Sequence, residues 1–408
     1  MKRFLSVFKL LFFLTALSLT PEVRAERIFD NSLYEKYERA FQLNEQGKYL
    51  EAYEAMTMVY KDMSETMKQK GVNMSTLDVV EFKMFYWPIT RSLAEISYKL
   101  GLHTIVSSLT KDMKNALLTR KDLNQFVKNG MNADVKRLNG CSYFLNGDYF
   151  NAEKELKGAL YLKPDDYEFT NAVHDDLAQL YYKQKNYYEA LSQIKLILES
   201  PPFCKDYRFP IDERKRLDIE SQYALCLARC DHFDEALKSI EKLLKRYNKT
   251  RNPQEYAEAL RKKAKILALN EEESGKRNPA TVQCYKEYLK YTKSYVDNHF
   301  IDLTEAEREQ YWMTEYPFVT DCYRLEERDP GMLYDVALFS KAVLLLAERQ
   351  FKPDMNRVQR KKALASVRTT WREIQKKMPD SVAAIEFICY EKGDNDYYRG
   401  RVKGYPEK

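Results

Sequence analysis

Two cysteines and a histidine stand close together at Cys226-x3-Cys230-x-His232. Cys226 and Cys230 are four apart, so a helix would carry both on one face. Thiolate and imidazole are ligands that zinc favours, but a zinc site generally needs four donors, with Cys pairs closer than this. Cys226 also lies between Leu225 and Leu227. The expectation is two packing thiols followed by a turn histidine. Cys389 alternates with Phe387 and Ile385, and the nearest histidine in sequence is His299. A nucleophilic thiol needs a base to take its proton, so Cys389 reads as a strand residue packed in a core. His174-Asp175-Asp176 has the elements of a metal site or a base. At the start of a helix, the two acids complement the positive N-terminal end instead. The seven cysteines (Cys141, Cys204, Cys226, Cys230, Cys284, Cys322 and Cys389) are odd in number and lack framework spacing. They read mostly as buried small apolar residues, with one disulfide conceivable but not assignable. No catalytic, metal-ligating or cofactor-binding residue is expected, and no cofactor.

The elements that carry these residues announce themselves by a phrase that returns four times. It reads Gly47-Lys-Tyr-Leu-Glu-Ala52, Gly147-Asp-Tyr-Phe-Asn-Ala152, Lys185-Asn-Tyr-Tyr-Glu-Ala190 and Asp231-His-Phe-Asp-Glu-Ala236. The aromatics Tyr49, Tyr149, Tyr187 and Phe233 hold its third place. Twelve residues before each alanine stands another small residue: Ala40, Gly140, Ala178 and Ala224. Small residues at that spacing let two antiparallel helices cross closely, while the Gly or polar residue turns the chain. The second copy adds Pro164 and the third Pro202. These residues resemble the tetratricopeptide repeat, whose period is about 34 residues. The clearest units are 33–64, 133–164, 171–202 and 217–248. The resemblance implies an all-α solenoid of helical hairpins, an architecture that usually binds rather than catalyses.

Between the first two copies, Leu77 to Leu100 reads as a long helix kinked or broken near Trp87-Pro88. Ala94 and Gly101 suggest a degenerate pair reaching about Asn129. Glu255–Asn270 and Pro279–Asn298 form a further pair, with Pro279 at a first helical position. The array is thus placed at 26–300. A helical junction follows at 301–380, with helices near 304–327, 331–350 and 354–378 and a capping box at Thr304-Glu-Ala-Glu307. From 381 the period changes. Val382–Tyr390 is β-branched and apolar, Gly393-Asp-Asn395 offers a turn, and Tyr397–Val402 returns, so a short β-hairpin is expected at the C-terminus.

The junction resembles the entry to a CHAT domain, a caspase-like module that follows tetratricopeptide repeats in bacteria. The residues are Leu303-Thr-Glu-Ala-Glu-Arg-Glu-Gln-Tyr-Trp312, Leu333-Tyr-Asp-Val-Ala-Leu-Phe-Ser-Lys341, Trp371-Arg-Glu-Ile-Gln375 and Ala384-Ile-Glu-Phe387. That family implies a cysteine peptidase with a His–Cys dyad lying downstream of the first strand. None of His103, His174, His232 and His299 fits its histidine motif. The stretch Tyr398-Arg-Gly-Arg-Val-Lys-Gly-Tyr405 departs from the apolar second strand of the family. The expectation is therefore an incomplete CHAT-like start at 381–408 and no enzyme in this chain.

Lys2, Arg3 and Lys9 flank an apolar run from Leu10 to Leu19, and Val23-Arg-Ala25 fits a cleavage site. Residues 1–25 thus read as a secretory signal peptide, and the run is short for a membrane span. Removing its net +3 from the chain's +6 leaves +3, too weak and too interspersed for nucleic-acid binding. Periplasmic or secreted localisation follows, with retention at the inner membrane by an uncleaved signal as the alternative. After cleavage no membrane-spanning segment is expected. The sequons Asn73-Met-Ser75 and Asn248-Lys-Thr250 carry little meaning in a bacterial context.

The functional reading is an exported repeat protein binding a protein or peptide, a peptidase domain or its target among the candidates. First-helix residues Arg137, Asn139, Asp175 and Glu220 are the expected contacts. Tyr143, Tyr181 and Leu227 are expected to pack inward. The alternatives are a fragment of a CHAT peptidase whose catalytic half lies elsewhere, and an envelope-associated scaffold.

Overall fold

The computed structural model describes residues 27–163, 165–203, 213–247, 249–300, 329–348 and 369–379, with short stretches between 303 and 362. The signal segment, Pro164, Cys204, Asn248, Thr304–Glu307, Cys389 and the whole expected β-hairpin lie outside the described residues. Within them every regular element is helical.

Twelve helices pair into six antiparallel hairpins. They are α1 (Asn31–Glu45) with α2 (Tyr49–Gln69), α3 (Trp87–Lys99) with α4 (His103–Thr119), and α5 (Gln125–Leu145) with α6 (Tyr149–Leu162). Next come α7 (Tyr167–Lys183) with α8 (Tyr187–Leu198), α9 (Glu213–Arg229) with α10 (Phe233–Arg246), and α11 (Pro253–Ser274) with α12 (Pro279–His299). Two further helices are described, α13 (Pro330–Glu348) and α14 (Trp371–Lys377). Each second helix packs on its own first helix and on the first helix of the next hairpin. Stacking of this kind buries a continuous core from units that could not bury one alone.

The recurring phrase is a helix stop followed by a helix start. In all four copies its first residue has positive φ: Gly47 at 77°, Gly147 at 81°, Lys185 at 61° and Asp231 at 64°. Its own amide and the next then close the preceding helix. Gly47 N donates to Asn44 O and Lys48 N to Leu43 O, both at 3.0 Å. The same pair of bonds recurs at Gly147, Lys185 and Asp231, the Schellman arrangement. Gly101, with φ at 76°, makes it a fifth time through Tyr98 O and Ser97 O. The degenerate second pair therefore uses the same turn, with Val106 where the other copies have alanine and Ala94 at the crossing. That pair ends at Thr119, short of Asn129, because the Asn124 side chain accepts from Val127 N at 2.9 Å and starts α5 there.

Ala40, Ala52, Ala94, Ala152, Ala178, Ala190, Ala224 and Ala236 are all fully buried at helix crossings. At Gly140 a Cβ would come within 2.7 Å of Leu156 Cγ and 3.1 Å of Ala152 O, so α5 and α6 approach more closely than even alanine allows.

The chain is not broken at Trp87-Pro88. A short turn, Val79–Glu81, capped by Asp78, leads into a π-helical segment, Phe82–Tyr86, which runs on into α3. The wider π turn lets Trp87 N reach Phe82 O, so the missing proline N–H falls where the ladder is already offset. Phe82, Phe85, Tyr86 and Trp87 all face the core as a result.

Candidate functional site

The first helices form an inner layer, touching one another at α1–α3, α3–α5, α5–α7 and α9–α11. Charged side chains tie this layer together. On α3, Arg91, Glu95 and Lys99 are spaced four apart and so share one face. Arg91 Nε donates to Glu95 Oε1 at 3.1 Å. From α5, Arg137 Nη1 reaches the same oxygen at 3.0 Å, while its Nε donates to Asp176 Oδ2 on α7 at 2.8 Å. Cys141 Sγ lies 3.5 Å from that Asp176 oxygen. Asp134 on α5 accepts from Trp87 Nε1 at 3.0 Å and sits 3.8 Å from Arg91 Nη1. Lys99 Nζ donates to Asn44 Oδ1 on α1 at 2.9 Å and lies over the Tyr49 ring. The line thus runs from α1 to α7, with three cations and three carboxylates.

The arrangement is largely withdrawn from solvent. The side chain of Asp176 is 4% exposed and that of Arg137 14%. Burial alone would drive such groups neutral. For Glu95, burial pushes the carboxyl up, but Arg91, Arg137 and Lys99 bring it down to about 2. For Arg137, burial disfavours the charge, and Asp176 and Glu95 outweigh it. Lys99 is the exception: burial lowers its pKa, Glu95 and Glu45 oppose this, and Arg137 and Lys215 add to the lowering.

The four expected contact residues fall into different settings. Arg137 is the centre of the network. Glu220 on α9 is held by Arg246 of α10 at 2.7 Å and lies 3.9 Å from Arg216. Asn139 is half-buried on α5, and Asp175 on α7 accepts from Gln179 Nε2 at 3.2 Å. The network brings Arg137 together with Glu95, Asp176 and Lys99, which sequence reasoning did not assign to it. The i, i+4, i+8 spacing of Arg91, Glu95 and Lys99 was the available signal. Tyr181 and Leu227 pack inward, but Tyr143 is 39% exposed. Tyr181 also donates from its hydroxyl to Glu153 Oε1 at 2.8 Å.

His174-Asp175-Asp176 does not begin a helix. The start of α7 is seven residues earlier at Tyr167, where Asp166 accepts from Phe169 N. The acids therefore serve side-chain bonding within the layer rather than the helix end. His174 Nδ1 is 2.8 Å from Gln193 Oε1 of α8. Cys226 and Cys230 are buried thiols outside any disulfide, and His232 lies in the turn, 3.9 Å from Glu235. Burial raises the thiol pKa of Cys230 and of Cys284, opposite to the shift a nucleophilic cysteine needs. Among the described residues no group of three or more His, Cys, Asp or Glu is placed to hold a metal, and no helix is long and apolar enough to cross a membrane.

No family model and no curated protein matches this chain. Among solved structures it is similar to the P58(IPK) TPR domain, at 14% identity over 85% of this chain and 99% of that one. The TM-score is 0.20. The assignment of a helical-hairpin repeat rests on the chain's own six hairpins and their shared turn.

Proposed function

We propose that this chain is an exported binding protein whose first-helix layer holds a segment of a protein partner. The observation that carries the reading is the layer itself: successive first helices are locked side by side by Glu95, Arg137 and Asp176. Such locking holds the layer rigid, and preorganisation of that kind lowers the entropic cost of binding an extended or helical segment. Catalysis is not part of the reading, because the described cysteines are buried, while His174 bonds Gln193 and His232 lies in a turn. Export rests on the charged and apolar pattern of residues 1–25. A regulatory role beside a caspase-like peptidase rests on the junction motifs near Leu303, Leu333 and Trp371. An intact CHAT peptidase of which this is the repeat half remains the alternative, favoured by the same motifs.

The test is site-specific photo-crosslinking in the source cell. A photoreactive residue at Asn139, on the inner layer, should trap a protein partner. The same residue at Lys154, exposed on the second helix of that hairpin, should not. Equal trapping at both positions, or none at Asn139, would remove the inner layer as the binding surface.

A further inference from the structure

The first and fifth hairpins, far apart in sequence, touch. Arg214, at the start of α9, donates from Nη1 to Gln46 O at 3.3 Å, across 168 residues of chain. Gln46 caps α1, and the next residue is the turn glycine Gly47. A Cβ added there would lie 3.2 Å from Arg214 Nη1, so the guanidinium rests directly on the turn. Arg214 also lies close enough to Glu258 of α11, in the sixth hairpin, to act on its charge. Burial opposes the charge on Glu258 of α11, yet Arg261, Lys262 and Arg214 bring its carboxyl down to about 2. Arg214 therefore stands where hairpins one, five and six converge, and the array has wound far enough to meet itself.

The nature of this contact differs from the packing between neighbouring hairpins. Adjacent hairpins share apolar cores, one cluster running from Phe29 to Leu138 and another from Ala133 to Leu269. No residue of the first hairpin belongs to the second cluster. Where hairpins one and five meet, a guanidinium bonds a backbone carbonyl, and Gln46 and Arg214 are both exposed. Lys99 and Lys215 flank it, close enough for Lys215 to lower the pKa of Lys99. A closure made of charge and hydrogen bonding at the surface is weak and screened by salt, whereas the hairpin stack is not.

We propose that Arg214 is a reversible clasp that closes the array into a ring over its inner layer, and that releasing it opens that layer. The part concerning access rests on the binding reading above; the closure itself does not. Release needs only small rotations distributed over the stacked hairpins.

The test uses the full chain with spin labels on unnatural residues at Gln42 and Lys238, exposed positions on hairpins one and five. Pulsed dipolar spectroscopy reads their separation at about 0.01 M and about 1 M salt, between which the Debye length falls from about 30 to about 3 Å. A single short distance should dominate at low salt. A longer population should appear at high salt, and at both salts in Arg214→Gln, with helical circular dichroism unchanged. A distance distribution identical across both salts and in Arg214→Gln would overturn the clasp, because hairpin packing alone would then set the winding. Crosslinking at Asn139 should rise in Arg214→Gln. If distances shift while Asn139 traps nothing in either background, the binding reading fails and the clasp stands.

Discussion

Hairpins one and two and hairpins three to five reach the same architecture with different cores. The N-terminal cluster contains Met56, Met63, Met67 and Met113 of the first two hairpins, joined by Met131 of α5, together with Phe82, Phe85, Tyr86 and Trp87 at the π segment. The later cluster contains no methionine and relies on Ala, Leu, Ile and Tyr around the small-residue crossings. Methionine is unbranched and fills irregular space. The first region therefore tolerates a π bulge and a missing alanine at Val106. The second depends on close approach at fixed positions such as Gly140. Fidelity to the repeat phrase and rigidity of fit thus go together.

Four sets of changes probe this contrast. The largest effect is expected at the junction of the two regions. Arg137→Met would leave Asp176 and Glu95 without their shared cation, and breaking a buried pair from one side costs about 3–5 kcal/mol. Urea denaturation with unchanged slope would measure it. A loss below about 1 kcal/mol would mean that solvent replaces the guanidinium.

The direct test of the contrast comes next. Gly140→Ala should cost about 1–3 kcal/mol, because overpacking has no room to relax between Leu156 and Ala152. Met63→Leu, fully buried in the N-terminal cluster, should cost less than about 1.5 kcal/mol. Reversal of that order in matched melts would dismiss the account of the two cores.

The turns sharpen it further. Gly147→Ala meets no neighbour but retains positive φ, so it should lose about 1–2 kcal/mol from strain alone. Lys185→Gly and Asp231→Gly relieve the same strain while loosening the unfolded chain, and should raise the urea midpoint by about 0.5 kcal/mol equivalent each. No gain at either would indicate that the lysine and aspartate side chains have compensating contacts.

The smallest effect is set by pH. The carboxyl of Glu95 is depressed from its ordinary value to about 2, so its unfolded form binds a proton first. Its contribution to stability is complete above about pH 4.5 and is lost as pH falls toward about 2. Comparing acid unfolding of the wild type with Glu95→Gln isolates it: the wild type should show the steeper loss across that window.

Much of the fold was legible because the turn is a local device. A residue in the left-handed region, two helix-closing bonds and an aromatic lie within six positions, and each copy repeats them. Gly101 and its partner Ala94 were readable for the same reason, although the phrase around them had decayed. The π segment was not, since a Pro inside a helical pattern ordinarily signals a break, and only burial of Phe82, Phe85, Tyr86 and Trp87 on the core side makes the offset ladder worthwhile. The capping box at Thr370 and Glu373 escaped notice because no apolar run follows it.

The candidate site was less legible. Arg137 was expected to face a ligand, and its neighbours Glu95 and Asp176 come from helices about 40 residues away on either side. Nothing in the spacing of one helix indicates what the next will set against it. The amino-acid sequence by itself determined the hairpins, because helix period, small-residue crossings and turn chemistry act within one unit. The tertiary structure alone decided which charges meet, how the inner layer is locked, and that Arg214 returns to the turn at Gln46. Those outcomes depend on the angle between stacked units, summed over five hairpins, and no single unit encodes that sum.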